Sequence, residues 1–416
     1  MCKWYEIDMT PRDILFFRGG KPMGAASIGE GASWPVPAVF HHAMLSAFHH
    51  RWPERQKWES EHHVRDGENT RCSYRFGALK SVGVFPHVSE VSDGGLERGV
   101  YVPTPADVQC LNDEQNDLCI MQPQKMPGSS NLPRPLDMAV LKPGKATKNK
   151  PGNWMPIAAL KNYLKGDVSG VRTVGDDALF CKESRPGIAV SPESGTVEEG
   201  KFYVAEYLRL HDGISAKGFV SCEQPRYDGG VVDVFAKLFA ESARQSIIFG
   251  GQQGVAALDA VRDDSRLPDS DKPSGRFIKW VLLTPAVFRS GWRPGWINAE
   301  SGKVEAVIKP KRREGESRKA WRKRFAEEKI PGRLVAACIP KNIHYSGWQT
   351  YGGEKYGPRS TRLCVAAGAV YYFEVPEGED TAPLLEFLHG RRLSDLWAEK
   401  GFGFGLCGSW SSEDVR

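Results

Sequence analysis

Two strand-like runs of this chain close on the same pair of residues. KWYEIDMTP at the start ends in Thr10-Pro11, and FIKWVLLTP, beginning at Phe277, ends in Thr284-Pro285. Proline closes a strand because it has no N–H for the next ladder bond. A Phe-Arg pair and a glycine turn follow each run, as Phe17-Arg18-Gly19 and as Phe288-Arg289-Ser290-Gly291. Apolar residues then recur at helical spacing. Val231, Val234, Phe235, Leu238 and Phe239 predict a helix over Val231–Ala243, and Leu384, Leu385, Leu388 and Trp397 predict one over Leu384–Trp397. Each predicted helix leads to a glycine-rich loop: Gly250-Gly251-Gln252-Gln253-Gly254 before strand-like VAAL, and Gly401 to Gly408 near the end. Strand, middle, helix and glycine loop thus occur twice. This order predicts an α+β chain of two ferredoxin-like βαββαβ domains.

The two halves differ in length. Thr10 to Gly250 is about twice the separation of Thr284 from Gly401, so the first half is expected to carry a long insertion at about 54–152. Within it Gln122–Gly152 is rich in Pro, Lys and Asn and reads as a mobile loop, before Asn153–Lys165 returns to helical character. Pro37–His50 is predicted helical, with proline at its first turn. Asp263–Asp271 is acidic and poor in apolar residues, a linker signal. The expected domains are 1–265 and 276–416, joined by 266–275.

Composition adds three points. Glycine (44) and proline (28) are abundant in the 416 residues without a period, which means many turns on an ordinary frame. No apolar run approaches the ~20 residues that span a bilayer, and the N-terminus lacks a secretory layout. The nine cysteines are scattered without a C-x-x-C pair, which argues against a zinc ribbon or a disulfide framework. A reducing cytoplasm is the expected setting. The net charge of +5 is uninformative, but Lys309–Arg324 (KPKRREGESRKAWRKR) concentrates it. That run, with Lys311, Arg312 and Arg313 at its centre, is either a solvated loop or a phosphate-binding segment. Trp321 and Phe325, four apart, allow its second half to be a basic amphipathic helix.

The candidate chemistry points to binding more than to catalysis. Glycine lets backbone N–H groups approach a phosphate or base. Neither loop is a Walker A, and neither has the strand-then-helix order of a dinucleotide fingerprint. A tight turn would account for either loop alone; two in equivalent places favour function. Arg12, Arg18 and Lys21 flank Phe16 and Phe17, so cations for phosphates stand beside rings able to stack a base, unless one ring is core. Arg289 is the second-half counterpart of Arg18. His41, His42, His49 and His50 cluster without the one-turn spacing of a zinc helix. No metal site and no cofactor is expected, and no nucleophile or paired-carboxylate signature is present.

Four segments together resemble a known family. PRDILFFRGGKPMG near the start, RPGIAVSPESGTVEEGKFYVAEYLRL at Arg185–Leu210, LTPAVFRSGWRPGW at Leu283–Trp296 and GFGFGLCG at the end match, in order, the third Cmr subunit of type III-B CRISPR effector complexes, a RAMP protein of the Cas-five-like group. The resemblance implies a non-catalytic RNA-binding subunit in antiviral defence. Such a subunit holds the 5′ handle of the crRNA and docks to the large polymerase-like subunit beside the backbone RAMP subunits. It implies RNA contacts at Arg12, Arg18 and Lys21, at Gly250, Gly251 and Gly254, and at Gly401, Gly403 and Gly405. With them stand the readings from residue type at Phe17, Arg289, Lys311, Arg312 and Arg313. The family loop often reads Gly-Gly-Glu-Gly-Arg; here Gln252-Gln253-Gly254-Val255 follows the two glycines, which leaves backbone donors without the arginine. The alternative is a metal-independent endoribonuclease of precursor crRNA, with His41, His42 or His344 as general base and Lys21 as electrostatic stabiliser.

Overall fold

The computed structural model describes residues 4–17, 28–29, 33–51, 79–90, 95–112, 117–126, 128, 130–222, 226–240, 245–263, 269–306, 315–321, 330–349, 357–358 and 360–411. It is a mixed α/β structure, mostly sheet with few helices, built on two antiparallel sheets. The first contains β1 (Tyr5–Pro11), β2 (Leu79–Val88), β3 (Gly99–Pro103) and β4 (Trp154–Pro156). A long hairpin of β5 (Phe180–Val190) and β6 (Val197–Leu210) precedes its remaining strands, β7 (Ile214–Cys222), β8 (Gln245–Ile248) and β9 (Val255–Asp263). The order across this sheet is β8-β9-β1-β7-β2-β3-β4. The second sheet has β10 (Phe277–Leu282), β11 (Arg333–Cys338), β12 (Val370–Glu374), β13 (Arg391–Arg392) and β14 (Phe404–Ser409), in the order β11-β12-β10-β14-β13.

Alternation along the strands decides what each face covers. Tyr5, Ile7 and Met9 of β1, with Ala216 and Val220 of β7, pack on α1 (Pro37–Arg51) and α3 (Val234–Ala240) through Phe40, Met44, Phe48, Phe235 and Leu238. Asp233 starts α3: its Oδ1 accepts from the Phe235 and Ala236 amides at 3.1 and 3.0 Å, satisfying N–H groups that lack helical partners. On β10, Ile278, Trp280 and Leu282 face α4 (Ala382–Leu388) and Leu384, Leu385 and Leu388 upon it. Val281 and Leu283 point the other way and join Val82, Phe85 and Phe219 of the first sheet and α2 (Ile157–Leu164) in one cluster. The two sheets therefore share a core.

Several sequence expectations change in register. The predicted helix at Leu384–Trp397 ends at Leu388, because Gly390 turns left-handed and Arg391–Arg392 pair with Gly405 and Phe404. The helix expected from Val231 starts at Val234, since Gly230–Val231 pair with Arg226–Tyr227. Gln122–Gly152 is no bare loop: Gln122–Lys125 pairs with Met138–Leu141, and buried Met138 anchors it in the shared core. The stretch expected as an insertion at about 54–152 also supplies β2, which sits between β7 and β3. Of the basic run, 318–321 form a helical turn; Lys311, Arg312, Arg313 and Phe325 lie outside the described residues. Among the described residues no helix is long and apolar enough to cross a membrane.

Candidate functional site

Three stretches far apart in sequence meet at Phe16. The Gly251 amide donates to the Phe16 carbonyl at 2.8 Å, and Leu15 exchanges two backbone hydrogen bonds of 2.8 Å with Leu208 on β6. The Phe16 and Tyr207 rings lie 5.4 Å apart, and the Arg185 guanidinium stands 5.6 Å over the Tyr207 ring. Tyr207 in turn donates its hydroxyl to Gln252 Oε1. The N-terminal segment, the β5–β6 hairpin and the first glycine loop thus form one surface patch.

The glycines of that loop are explained by closeness. Gly250 has φ of 93°, and a Cβ there would stand 2.8 Å from the Phe16 carbonyl oxygen, so only glycine lets the loop reach the N-terminal segment. Gln252 and Gln253 are the exposed part of the turn. The cations around the patch are mostly engaged. Arg12 is exposed and donates to Ser246 Oγ at 2.6 Å. Arg185 reaches Glu183 at 2.7 Å, and Arg209 reaches Glu183 at 2.8 Å and Asp13 at 3.0 Å. Hydrogen bonds from Arg209 and then Arg185 hold the Glu183 carboxyl below its usual range.

Phe16, Gly250 and Gly251 also line a cleft of about 1240 Å³, whose opposite wall comes from the second half through Leu283–Pro285 and Ile343–Ser346. Prolines from both halves stand in the wall, Pro35, Pro103, Pro285 and Pro340 among them. A proline-rich wall offers apolar rings and carbonyls but few N–H donors. Lys150, His42, His344, Asp176, Cys338 and Tyr345 are its titratable groups among the described residues, and Asp176 accepts from Trp154 Nε1 at 2.7 Å. On the sheet face opposite α1, Lys217 is engaged, lying 2.6 Å from Glu6 and 3.4 Å from Asp8.

The remaining sequence candidates are dispersed. Phe17 lines the cleft but is buried, packed edge-on against Phe249 at 5.4 Å. Gly254 closes the first loop, its amide donating to the Gly251 carbonyl at 3.1 Å. Arg289 is exposed beyond β10, its amide held by Asp395 Oδ2 at 2.9 Å. Arg18, Lys21, Lys311, Arg312 and Arg313 lie outside the described residues. Gly401, Gly403 and Gly405 are buried and serve packing: a Cβ on Gly401 would stand 2.8 Å from the Ser81 carbonyl oxygen of β2, and one on Gly405 2.4 Å from Trp280 Nε1. Gly405 and Gly408 belong to β14 rather than to a loop. His41 is buried with Nδ1 3.0 Å from Ser81 Oγ, whereas His42 and His344 are exposed and line the cleft. Among the described residues no group of three or more His, Cys, Asp or Glu is placed to hold a metal ion. Tyr207, Gln252 and Gln253 were not candidates by residue type; their only sequence signal is position, within the family-like segment and between glycines.

The family described as CRISPR-associated protein (Cas_Cmr3) matches residues 7–410. The chain belongs to this family. The Cas_Cmr3 match runs through all four segments that carried the sequence resemblance to the third Cmr subunit of type III-B complexes. No curated protein matches the chain. Solved structures it resembles include a chain of the type III-B Cmr-beta complex bound to cognate target RNA and AMPPnP, at 11% identity, covering 88% of this chain and 86% of that one, with a TM-score of 0.41. A chain of the Csm3-Csm4 subcomplex of the type III-A CRISPR-Cas interference complex has 8% identity, covers 89% and 93%, and gives a TM-score of 0.36. A RAMP protein binding different RNA substrates has 9% identity, covers 97% and 99%, and gives 0.30.

Proposed function

We propose that this Cas_Cmr3 member is a non-catalytic RNA-binding subunit of a type III-B CRISPR effector complex in the cytoplasm. It holds the 5′ handle of the crRNA and docks to the large polymerase-like subunit and the backbone RAMP subunits. The observation that carries this reading is the convergence at Phe16 of the N-terminal segment, the hairpin and the glycine loop. Rings and a guanidinium stand there beside a cleft, the combination that stacks splayed bases of single-stranded RNA. Arg12, Arg18, Lys21 and Arg289 serve phosphates, and Lys311, Arg312 and Arg313 extend the basic surface. Gly250, Gly251 and Gly254 bring the loop to the patch, while Gly401, Gly403 and Gly405 and Phe17 support it by packing. The frame is two ferredoxin-like domains, 1–265 and 276–416 joined by 266–275. Supporting this, the strand orders β9-β1-β7-β2 and β14-β10-β12-β11 have the same sequence of ranks.

The full chain, with its large-subunit partner, is expected to bind handle-bearing RNA more tightly than a scrambled handle at fixed salt. Equal affinity would sink handle reading. Arg18→Ala with Lys21→Ala should shallow the dependence of affinity on salt, because fewer counterions are released. The endoribonuclease alternative draws support from His42 and His344 on the same cleft. Incubation with repeat RNA in EDTA decides it: one discrete cut, lost in His42→Ala or His344→Ala, would replace the scaffold reading.

A further inference from the structure

The first glycine loop spends its residues oddly. Gly250, Gln252 and Gln253 all have left-handed backbone, with φ of 93°, 51° and 58°. That region suits glycine, and a side chain with a β-carbon is strained there. The loop holds three glycines, yet two of its left-handed positions carry glutamine. Strain of this kind persists only where the surrounding structure holds it in place, and such positions gather at binding and catalytic sites.

The two carboxamides differ in engagement. Gln252 accepts the Tyr207 hydroxyl on Oε1, which orients its amide and ties the loop to the aromatic patch. Gln253 is exposed and makes no hydrogen bond among the described residues. It follows Gln252 on a turn whose other residues touch the patch, Gly251 through its amide to the Phe16 carbonyl and Gln252 through the Tyr207 hydroxyl. The Phe16 and Tyr207 rings and the Arg185 guanidinium of that patch are surfaces on which a base stacks.

We infer that Gln253, on a turn positioned by Gln252, reads a purine of the bound strand as adenine rather than guanine. The inference rests on the RNA-binding reading above and gives it a base preference. A carboxamide presents one acceptor and one donor side by side. The N7 and N6 edge of adenine offers an acceptor and a donor in complementary order. Guanine offers two acceptors, N7 and O6, so the glutamine oxygen would face an oxygen. An arginine in this place would prefer guanine; the Gln253 carboxamide selects the other purine.

The test uses the full chain and short oligouridine RNAs carrying adenosine, guanosine or 7-deazaadenosine at matched positions. The wild type is expected to bind the adenosine RNA about ten-fold more tightly than the guanosine RNA. The 7-deaza base, which lacks the N7 acceptor, should lose most of that advantage. Gln253→Gly should erase the preference, leaving the adenosine and guanosine RNAs bound alike, and raise the melting temperature by relieving left-handed strain. Measurable but equal binding of the adenosine and guanosine RNAs, or a preference that survives Gln253→Gly, overturns the inference while RNA binding stands. No binding of any of these RNAs removes the RNA-binding reading and the inference with it.

Discussion

Tyr372 donates its hydroxyl to Asp107 Oδ2 at 2.7 Å, joining residues 265 positions apart. Tyr163 of α2 donates to the same carboxylate at 2.7 Å. Lys279 of β10 lies 3.6 Å over the Tyr163 ring and donates to the Tyr163 carbonyl at 3.2 Å. All four are buried, and they pin the second sheet to the chain that follows β3.

Removing one arm of this network should be measurable in chemical denaturation of the full chain. Tyr372→Phe is expected to cost about 2 kcal/mol, the worth of a hydrogen bond to a charged group. Asp107→Leu should cost about 4 kcal/mol, because it leaves the Lys279 ammonium buried without a counter-charge. A loss below about 0.5 kcal/mol for both would show that the sheets are held by apolar contact alone.

Lys279 also sets a pH signature. Burial lowers its ammonium to about 8, with Asp107 opposing the shift. A base depressed in the fold costs stability while it is charged, below pH 8, and that cost fades as pH rises towards the ordinary 10.5. Cys338, raised by burial to about 12, works the other way above pH 9, so the signal is a difference between proteins. Relative to Lys279→Met, the wild type should gain stability as pH rises above 8. A flat difference across that window would show an unshifted lysine.

His41 is held well below its usual 6.5, first by burial and then by His42, Lys400 and Arg392. Below pH 6.5 the unfolded chain takes a proton that the fold refuses, so stability falls with pH. In thermal melts His41→Gln should lose less than the wild type on going below that pH. Parallel losses in the two proteins would remove His41 as the cause.

Gly401 has φ of 93° and stands against the Ser81 carbonyl. Gly401→Ala is expected to cost about 3 kcal/mol, combining left-handed strain with overpacking. Gly378, with φ of 83° and open space where a Cβ would stand, should lose only about 1 kcal/mol as alanine. Equal losses at the two positions would mean that Gly401 does not serve the contact between the sheets.

Much of the frame was legible because its signals are local. Thr-Pro closed β1 and followed β10, and the spacing from Pro37 gave α1 to within a residue. Helix ends were less legible: Leu388 is the end of α4 because β14 captures Arg391–Arg392, a long-range pairing that helical spacing cannot reveal. The paired strands inside Gln122–Gly152 were missed for the same reason, since polar and proline-rich stretches become strands only when a core takes Met138.

The sequence by itself determined the family, and it marked the N-terminal segment, Arg185–Leu210 and the first glycine loop as candidates. Each is written in neighbouring residues, where periodicity, proline and glycine act directly on the backbone. Only the tertiary structure decided that these pieces meet at Phe16, that the second glycine loop is spent on packing against β2, and that Gln252 and Gln253 face outward. Those outcomes depend on which sheet faces cover one another, and burial is a property of the packed chain rather than of any segment.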